Sequence, residues 1–418
     1  MAAVAAEEPA MVDLLVDLVR APTLRDQEAP GQVVMRGAFA ALGLEPFDVP
    51  LDRAALNGHP GAAPFSWDVD GKVNVLANWE PAGQADGRSL ILNGHIDVVS
   101  PEPASLWSEA PFSGRRDGEW LYGRGAGDMK SGLAAMVGAV RGLRRLALAP
   151  RARVQLQSVV EEECTGNGAL ACVLAGHTAD AAILTEPTQG AVWTAQVGVL
   201  WFAVRVLGKP AHAGSAQEGD NAIDACYAVI EALRVLEAEL NAVRPPLYAA
   251  YAHPINLNVG AIRGGDWPST VAGECCIRCR LATYPGEPIA ELKERVERAV
   301  AEVAASRPEL SRYRMDVLYD GFQCEGYELD PDAPLVTGLL DACARATGKR
   351  PPTFASTATT DARTFHLYGA TPSVCFGPLA ESEHGVDERV HLPSITATAQ
   401  AIALFIAVWC GLEPAPSS

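Results

Sequence analysis

The chain has 418 residues, 49% apolar and 20% charged, with a formal net charge of -18 at pH 7. The length sets about two domains as the expectation, and the acidity excludes a nucleic-acid binder, which needs a basic face. No run reaches the ~18 uninterrupted apolar residues of a membrane span, and the start, Met1-Ala-Ala-Val-Ala-Ala-Glu-Glu-Pro9, lacks the basic n-region and apolar core of a secretory signal. A cytoplasmic protein with neither membrane nor nucleic-acid partners is therefore expected.

In chain order, the pattern from about Met11 to Leu44 is helical, with Leu14, Leu15, Leu18 and Val19 sharing one face. Short apolar runs predict strands at Val73 to Ala77, Leu90 to Leu92, Val154 to Val160 and Ala181 to Leu184. Helices are expected from Lys130 to Leu146 and from Gly168 to Ala175. That alternation marks an α/β fold, a mixed sheet flanked by helices.

Near Trp193 the rhythm changes. A strand from Val197 to Leu207 is followed by a helix from Ala222 to about Leu240, then strands from Ile255 to Ile262 and Val271 to Ala282. A helix from Pro288 to Ala304 and a strand around Tyr313 to Leu318 complete a β-α-β-β-α-β order, the split βαβ arrangement. Residues 193–322 thus read as a smaller α+β domain inserted into a first domain of residues 1–192 and 323–418. A helix from Pro334 to Ala346 resumes the first domain, and the Pro/Ser tail after Leu412 is expected to be disordered.

The ten cysteines form no disulfide framework for a chain of this length. Cys275, Cys276 and Cys279 lack the second pair a zinc ribbon needs. On a strand, Cys275, Ile277 and Cys279 share one face, which reads as core.

The chemistry-bearing residues lie elsewhere. His95 and Asp97 stand at i and i+2, on one face of a strand, and a metal-bound histidine commonly gives its second ring nitrogen to a carboxylate. Asp128 precedes a helix, where it could serve as a cap or as a ligand. Its leader, Gly123-Arg-Gly-Ala-Gly127, departs from a dinucleotide-binding fingerprint because Asp128 stands at the third glycine position.

Glu161, Glu162 and Glu163 end a buried strand. Two like charges ~4 Å apart cost on the order of 1 kcal/mol in water and ~4 at an effective dielectric of 20. With Asp128 and Glu186 brought to the same strand ends, a cation explains the grouping better than a solvated loop. Two divalent ions are balanced by Asp128, Glu163, Glu186 and a hydroxide, which leaves Glu162 free as a base.

The pieces Gly94-His-Ile-Asp-Val-Val-Ser-Pro101, Gly123 to Gly132, Glu162-Glu-Cys-Thr-Gly-Asn-Gly168, Glu186-Pro187 and Gly377 to Glu388 occur in order. At these residues the chain resembles the di-zinc metallopeptidase family of acetylornithine deacetylase, succinyl-diaminopimelate desuccinylase, aminoacylase and carboxypeptidase G. The resemblance implies two divalent metals, zinc by default with cobalt or manganese able to substitute. His95 and Glu186 would hold one and Glu163 and His384 the other, with Asp128 bridging and a cis peptide before Met129. Asp97 would support His95, and Glu162 would be the general acid/base. Glu161 is left as a neighbour of open duty.

The same resemblance makes the inserted domain a lid and dimerisation element of a homodimer. It places His212 at the partner's site and gives Arg280 a substrate carboxylate. Thr360 and Arg363 match a segment lining the substrate pocket, in which Ala358-Thr359 replaces the family's frequent Gly-Gly. The implied activity is removal of an N-acyl group from an amino acid or similar small amine. A dipeptidase or carboxypeptidase, or a deformylase of a formylamino compound, are the alternatives on the same ligands. A non-catalytic binding relative would have lost a ligand or the base, and every expected position is filled here.

Overall fold

A computed structural model describes residues 1–415. The larger of its sheets has nine strands. Its path runs Pro46–Pro50, Val73–Trp79, Val154–Val159, Leu90–His95, Ala182–Leu184, Ser373–Cys375, Val192–Gln196 and Tyr327–Glu328, with Thr353–Ser356 paired beside Val192–Gln196. Val154–Val159, Leu90–His95, Ala182–Leu184 and Ser373–Cys375 run parallel to one another at the centre. Their apolar residues are buried on both faces, as parallel strands covered by helices must be.

The helices Ser131–Arg145, Pro334–Thr347 and Leu392–Trp409 pack together against this sheet. Leu392–Trp409 is long and apolar enough to cross a membrane, with a mean hydropathy of 1.6. Ile395, Ile402, Phe405 and Ile406 are nevertheless buried in the main core. Because it is apolar on nearly every side, it carries no amphipathic period to mark it in the sequence.

The smaller sheet has the order Leu257–Gly264, Glu274–Thr283, Gly198–Leu207, Arg314–Leu318, all antiparallel. The helices Ala222–Ala242 and Ile289–Ser306 pack on it, which gives the expected β-α-β-β-α-β order. Cys275, Ile277 and Cys279 enter its core, whereas Cys276 is only partly covered.

Three expectations need correction. The single helical stretch from Met11 to Leu44 is two helices, Glu8–Arg20 and Ala29–Ala41. Pro22 and Pro30 bracket the gap between them, and each lacks the N–H a continuous helix needs. The sheets change over at Val197, because Val192–Gln196 belongs to the large one, and after Gln323–Cys324, which pairs with the small one. Those points lie a few residues beyond the expected 193 and 322. The tail is ordered as far as Leu412–Pro414, which pairs with Leu148–Pro150; residues 416–418 lie outside the described residues.

Candidate metal centre

The parallel strands all end at one edge, the edge at which sheets of this type bind ligands. His95 closes its strand directly beside Val159, and Glu161 to Glu163 follow within four residues. Asn93 pairs with Leu184, and the N–H of Thr185 donates to the Asn93 carbonyl, which carries Glu186 to the same edge. Thr185 and Glu186 are squeezed between two glycines. A Cβ on Gly132 would lie 1.8 Å from the Thr185 carbonyl oxygen, and one on Gly377 would lie 2.1 Å from that of Glu186.

Register thus places His95 Nε2 3.1 Å from Asp128, 3.8 Å from Glu162 and 3.9 Å from Glu186. His384 Nε2 lies 3.1 Å from Glu163 and 3.4 Å from Asp128. Asp128 therefore stands between the two histidines. One ligand atom from each of His95, Asp128 and Glu163 lies within 4.8 Å of the others. Asp128 does not cap the following helix, which has no side-chain cap. The Asp128–Met129 peptide is cis.

The donor set fits divalent metal. His95 Nδ1 lies 2.9 Å from the Asp97 carbonyl oxygen, to which it donates. In the neutral ring this leaves Nε2 a bare acceptor facing carboxylate oxygens, an arrangement that requires a proton or a cation between them. Burial opposes a charge on His95, but Asp128, Glu162 and Glu186 outweigh it and hold its pKa well above the usual histidine value. The Glu163 carboxylate is the main reason His384 is pushed up to about 11. Burial drives Glu162 and Glu186 well above the ordinary carboxylate range. Bound divalent ions answer all four demands at once.

Asp97 acts differently from expectation. Its carboxylate is 3.8 Å from His95 Nδ1, and it accepts instead from the N–H groups of Glu162 at 3.2 Å and Glu163 at 3.0 Å. The carbonyl oxygen of Asp97 orients the histidine, and its carboxylate holds the glutamate turn. Burial pushes this carboxyl up to about 7.

A cavity of about 810 Å³ opens beside the centre, lined on one wall by Glu162, Glu163 and His384. The opposite wall is the open face of the small sheet, where Asn258, Arg280 and Trp201 stand in one cross-strand row. Arg280 donates to the Thr357 carbonyl at 3.3 Å, and no carboxylate among the described residues pairs with it. Burial pulls its pKa down.

Thr360 and Arg363 do not line this cavity; Thr357, Ala358 and Thr359 do. Thr360 is buried behind the loop, its hydroxyl donating to Gln196 at 2.7 Å. Arg363, 2% exposed, donates to the carbonyls of Thr360 and Thr165. These donors bond inside the fold, where they set the shape of the loop. His212 is exposed, accepts the N–H of Gly214 at 3.0 Å, and lies outside the cavity of its own chain.

The sequence reading gave two buried groups no role of their own. Glu388 accepts the N–H groups of Gly125, Gly127 and Asp128 and pairs with Arg124. Its position four residues after His384 was the available signal. Asp361 is 1% exposed, and neither of its oxygens has a hydrogen-bond partner among the described residues. It lies inside the matched segment Thr360-Asp-Ala-Arg363, where the resemblance gave it no role of its own.

A sequence model of peptidase family M20/M25/M40 matches residues 91–408. The N-formyl-4-amino-5-aminomethyl-2-methylpyrimidine deformylase of Halalkalibacterium halodurans is 28% identical over 369 residues, 84% of this chain and 86% of that one. The succinyl-diaminopimelate desuccinylase of Methylobacterium sp. is 28% identical over 422 residues, 98% of both. The solved structure of the dipeptidase Dug1p from Saccharomyces cerevisiae superposes with a TM-score of 0.81 at 12% identity. It covers 98% of this chain and 97% of that one, a likeness of fold.

Proposed function

Because the chain belongs to peptidase family M20/M25/M40, a family of metallohydrolases acting on amide bonds, we propose that it is a metal-dependent amidohydrolase. Its substrate in this reading is an N-acyl amino acid or related small amine, from which it removes the acyl group. The observation that carries the reading is the convergence of His95, Asp128, Glu163, Glu186 and His384 around Glu162, on a cavity whose far wall offers Arg280, which has no carboxylate partner among the described residues. Relatives named for desuccinylation, deacetylation and deformylation support it.

Two divalent ions would be held by His95 and Glu186 on one side and by Glu163 and His384 on the other, with Asp128 between. Zinc suits histidine and carboxylate ligands, and cobalt or manganese is compatible with them. The chemistry such ions supply is polarisation of a carbonyl and a fall in the pKa of water from about 15.7 toward ~7.

The chain's own residues do the rest. Glu162 takes the proton of the attacking water on its carboxylate and returns it to the leaving nitrogen. Asp97 keeps that carboxylate in place through the backbone. Arg280 offers a bidentate partner to a substrate carboxylate. In a homodimer the exposed His212 of one chain would serve the other's cavity and stabilise the oxyanion. Ten cysteines without a disulfide suit a reducing, cytoplasmic setting.

The test is mass spectrometry of N-acetyl, N-succinyl and N-formyl amino compounds and dipeptides incubated with zinc- or cobalt-loaded enzyme. Loss of one acyl class, abolished by chelation and by Glu162→Gln, is the expected outcome. Loss of formyl compounds alone would assign a deformylase, and loss of dipeptides alone a dipeptidase. Wild-type turnover by Glu162→Gln at full metal occupancy would remove Glu162 from its role.

A further inference from the structure

Three consecutive glutamates leave the Val154–Val159 strand, and they diverge. Glu162 turns toward His95 and Glu163 toward His384. Glu161 turns back into the protein, where it is 0% exposed and lines no part of the cavity. Its φ is +62°, a left-handed conformation that residues other than glycine seldom adopt. Such a conformation persists only where surrounding contacts over-determine it.

Those contacts are present. Glu161 Oε1 accepts from Lys72 Nζ at 2.8 Å and from the indole N–H of Trp67 at 2.7 Å. Its Oε2 accepts from the Thr165 hydroxyl at 3.0 Å. Its carbonyl oxygen accepts the N–H groups of Thr165 at 3.1 Å and Gly166 at 2.8 Å. Lys72 also pairs with Glu28 at 2.9 Å and Asp26 at 3.0 Å. Burial works against the Lys72 ammonium, but Glu161 and Glu28 outweigh it and keep the lysine protonated.

We propose that Glu161 is a positioning residue. Locked by Lys72, Trp67 and Thr165, it sets the left-handed turn from which Glu162 and Glu163 are presented to the metal centre. Pairing with Lys72 has a second effect: it keeps a third carboxylate, adjacent in sequence, from competing for a cation. The glutamate turn is thus clamped from two sides, through the Glu161 side chain and through the Asp97 carboxylate that holds the next two N–H groups. The inference rests on reading Glu163 as a ligand and Glu162 as the base.

The test uses Glu161→Gln, which keeps the size and the acceptor but loses the charge facing Lys72. Trp67→Phe removes one hydrogen bond at the rim and serves where the first variant folds poorly. Zinc titration of the apoenzyme by calorimetry, kcat and KM on the acyl compound consumed in the panel, and thermal melts are read together. Either variant is expected to weaken one of two zinc sites by about 10-fold and to lower kcat by a similar factor. KM should stay within about twofold of wild type, and Glu161→Asp should recover part of the loss. Unchanged zinc affinities and kcat in folded Glu161→Gln would overturn the proposal, as would a fall in kcat matched wholly by a fall in folded fraction. If the control Glu162→Gln keeps its turnover, the reading of the base fails, and the zinc titration still decides Glu161.

Discussion

The Glu388 carboxylate receives the backbone N–H of Asp128 at 3.0 Å, across 260 residues of sequence. The same carboxylate holds Gly125 and Gly127 and faces the buried Arg124. The loop carrying Asp128 and the loop carrying His384 are therefore one unit, joined by the Glu388 carboxylate.

Replacing Glu388 by Gln should disturb both loops. Breaking a buried pair by removing one partner costs about 3–5 kcal/mol, because the Arg124 charge stays behind. Outer-shell partners of metal ligands commonly carry about 10–100-fold in affinity or activity. Melts of the metal-free protein and calorimetric zinc titration check the two effects separately. Wild-type affinity at both sites would show that the cradle has no bearing on the metals.

Asp97→Asn keeps the carbonyl that orients His95 and replaces one acceptor of the glutamate turn with an NH2 facing an N–H. A fall in kcat of about 10–100-fold with two metals retained is expected. Metal analysis beside steady-state kinetics measures it. Loss of the His95-side metal would instead mean that the Asp97 carboxylate itself supports the histidine.

Chelation should destabilise the fold, because burial opposes the charges of Glu162 and Glu186 once cations are gone. Returning zinc to 100 times its Kd restores about 2.7 kcal/mol per site. Calorimetric melts with and without chelator read this, and Glu186→Gln should lower the zinc count from two to one.

Asp361 gives a pH dependence. Burial raises its folded pKa from 3.8 to about 6, against the attraction of Arg363. Between those values the folded state binds the extra proton, so this group's contribution to stability falls as pH rises from 3.8 to 6 and stays lost above. The change is about 3 kcal/mol at most, at ~1.4 kcal/mol per pKa unit. In melts of the metal-free protein, Asp361→Asn should gain on wild type between pH 4 and 7. Parallel profiles for the two proteins would contradict this.

Much of the fold was legible because its periods are strong. The β-α-β-β-α-β run from Gly198 to Leu318 follows the spacing of apolar residues, since a half-buried strand or helix must place them at its own repeat. Leu392–Trp409 and the short central strand Ser373–Cys375 escaped, because elements buried on all sides lose the contrast that reveals a period.

At the site, His95, Asp128, Glu163, Glu186 and His384 were legible from the sequence through the motifs that carry the family resemblance, whose histidines and carboxylates are the side-chain types suited to a divalent ion. Tertiary structure decided what each carboxylate does. It set Asp97 on the backbone of Glu162 and Glu163 and Glu161 on Lys72, placed Glu388 beneath Asp128, and took Thr360 and Arg363 out of the cavity. A carboxylate's duty depends on which donors lie within about 3 Å of it, and those donors come from strands and loops that only the folded sheet brings side by side.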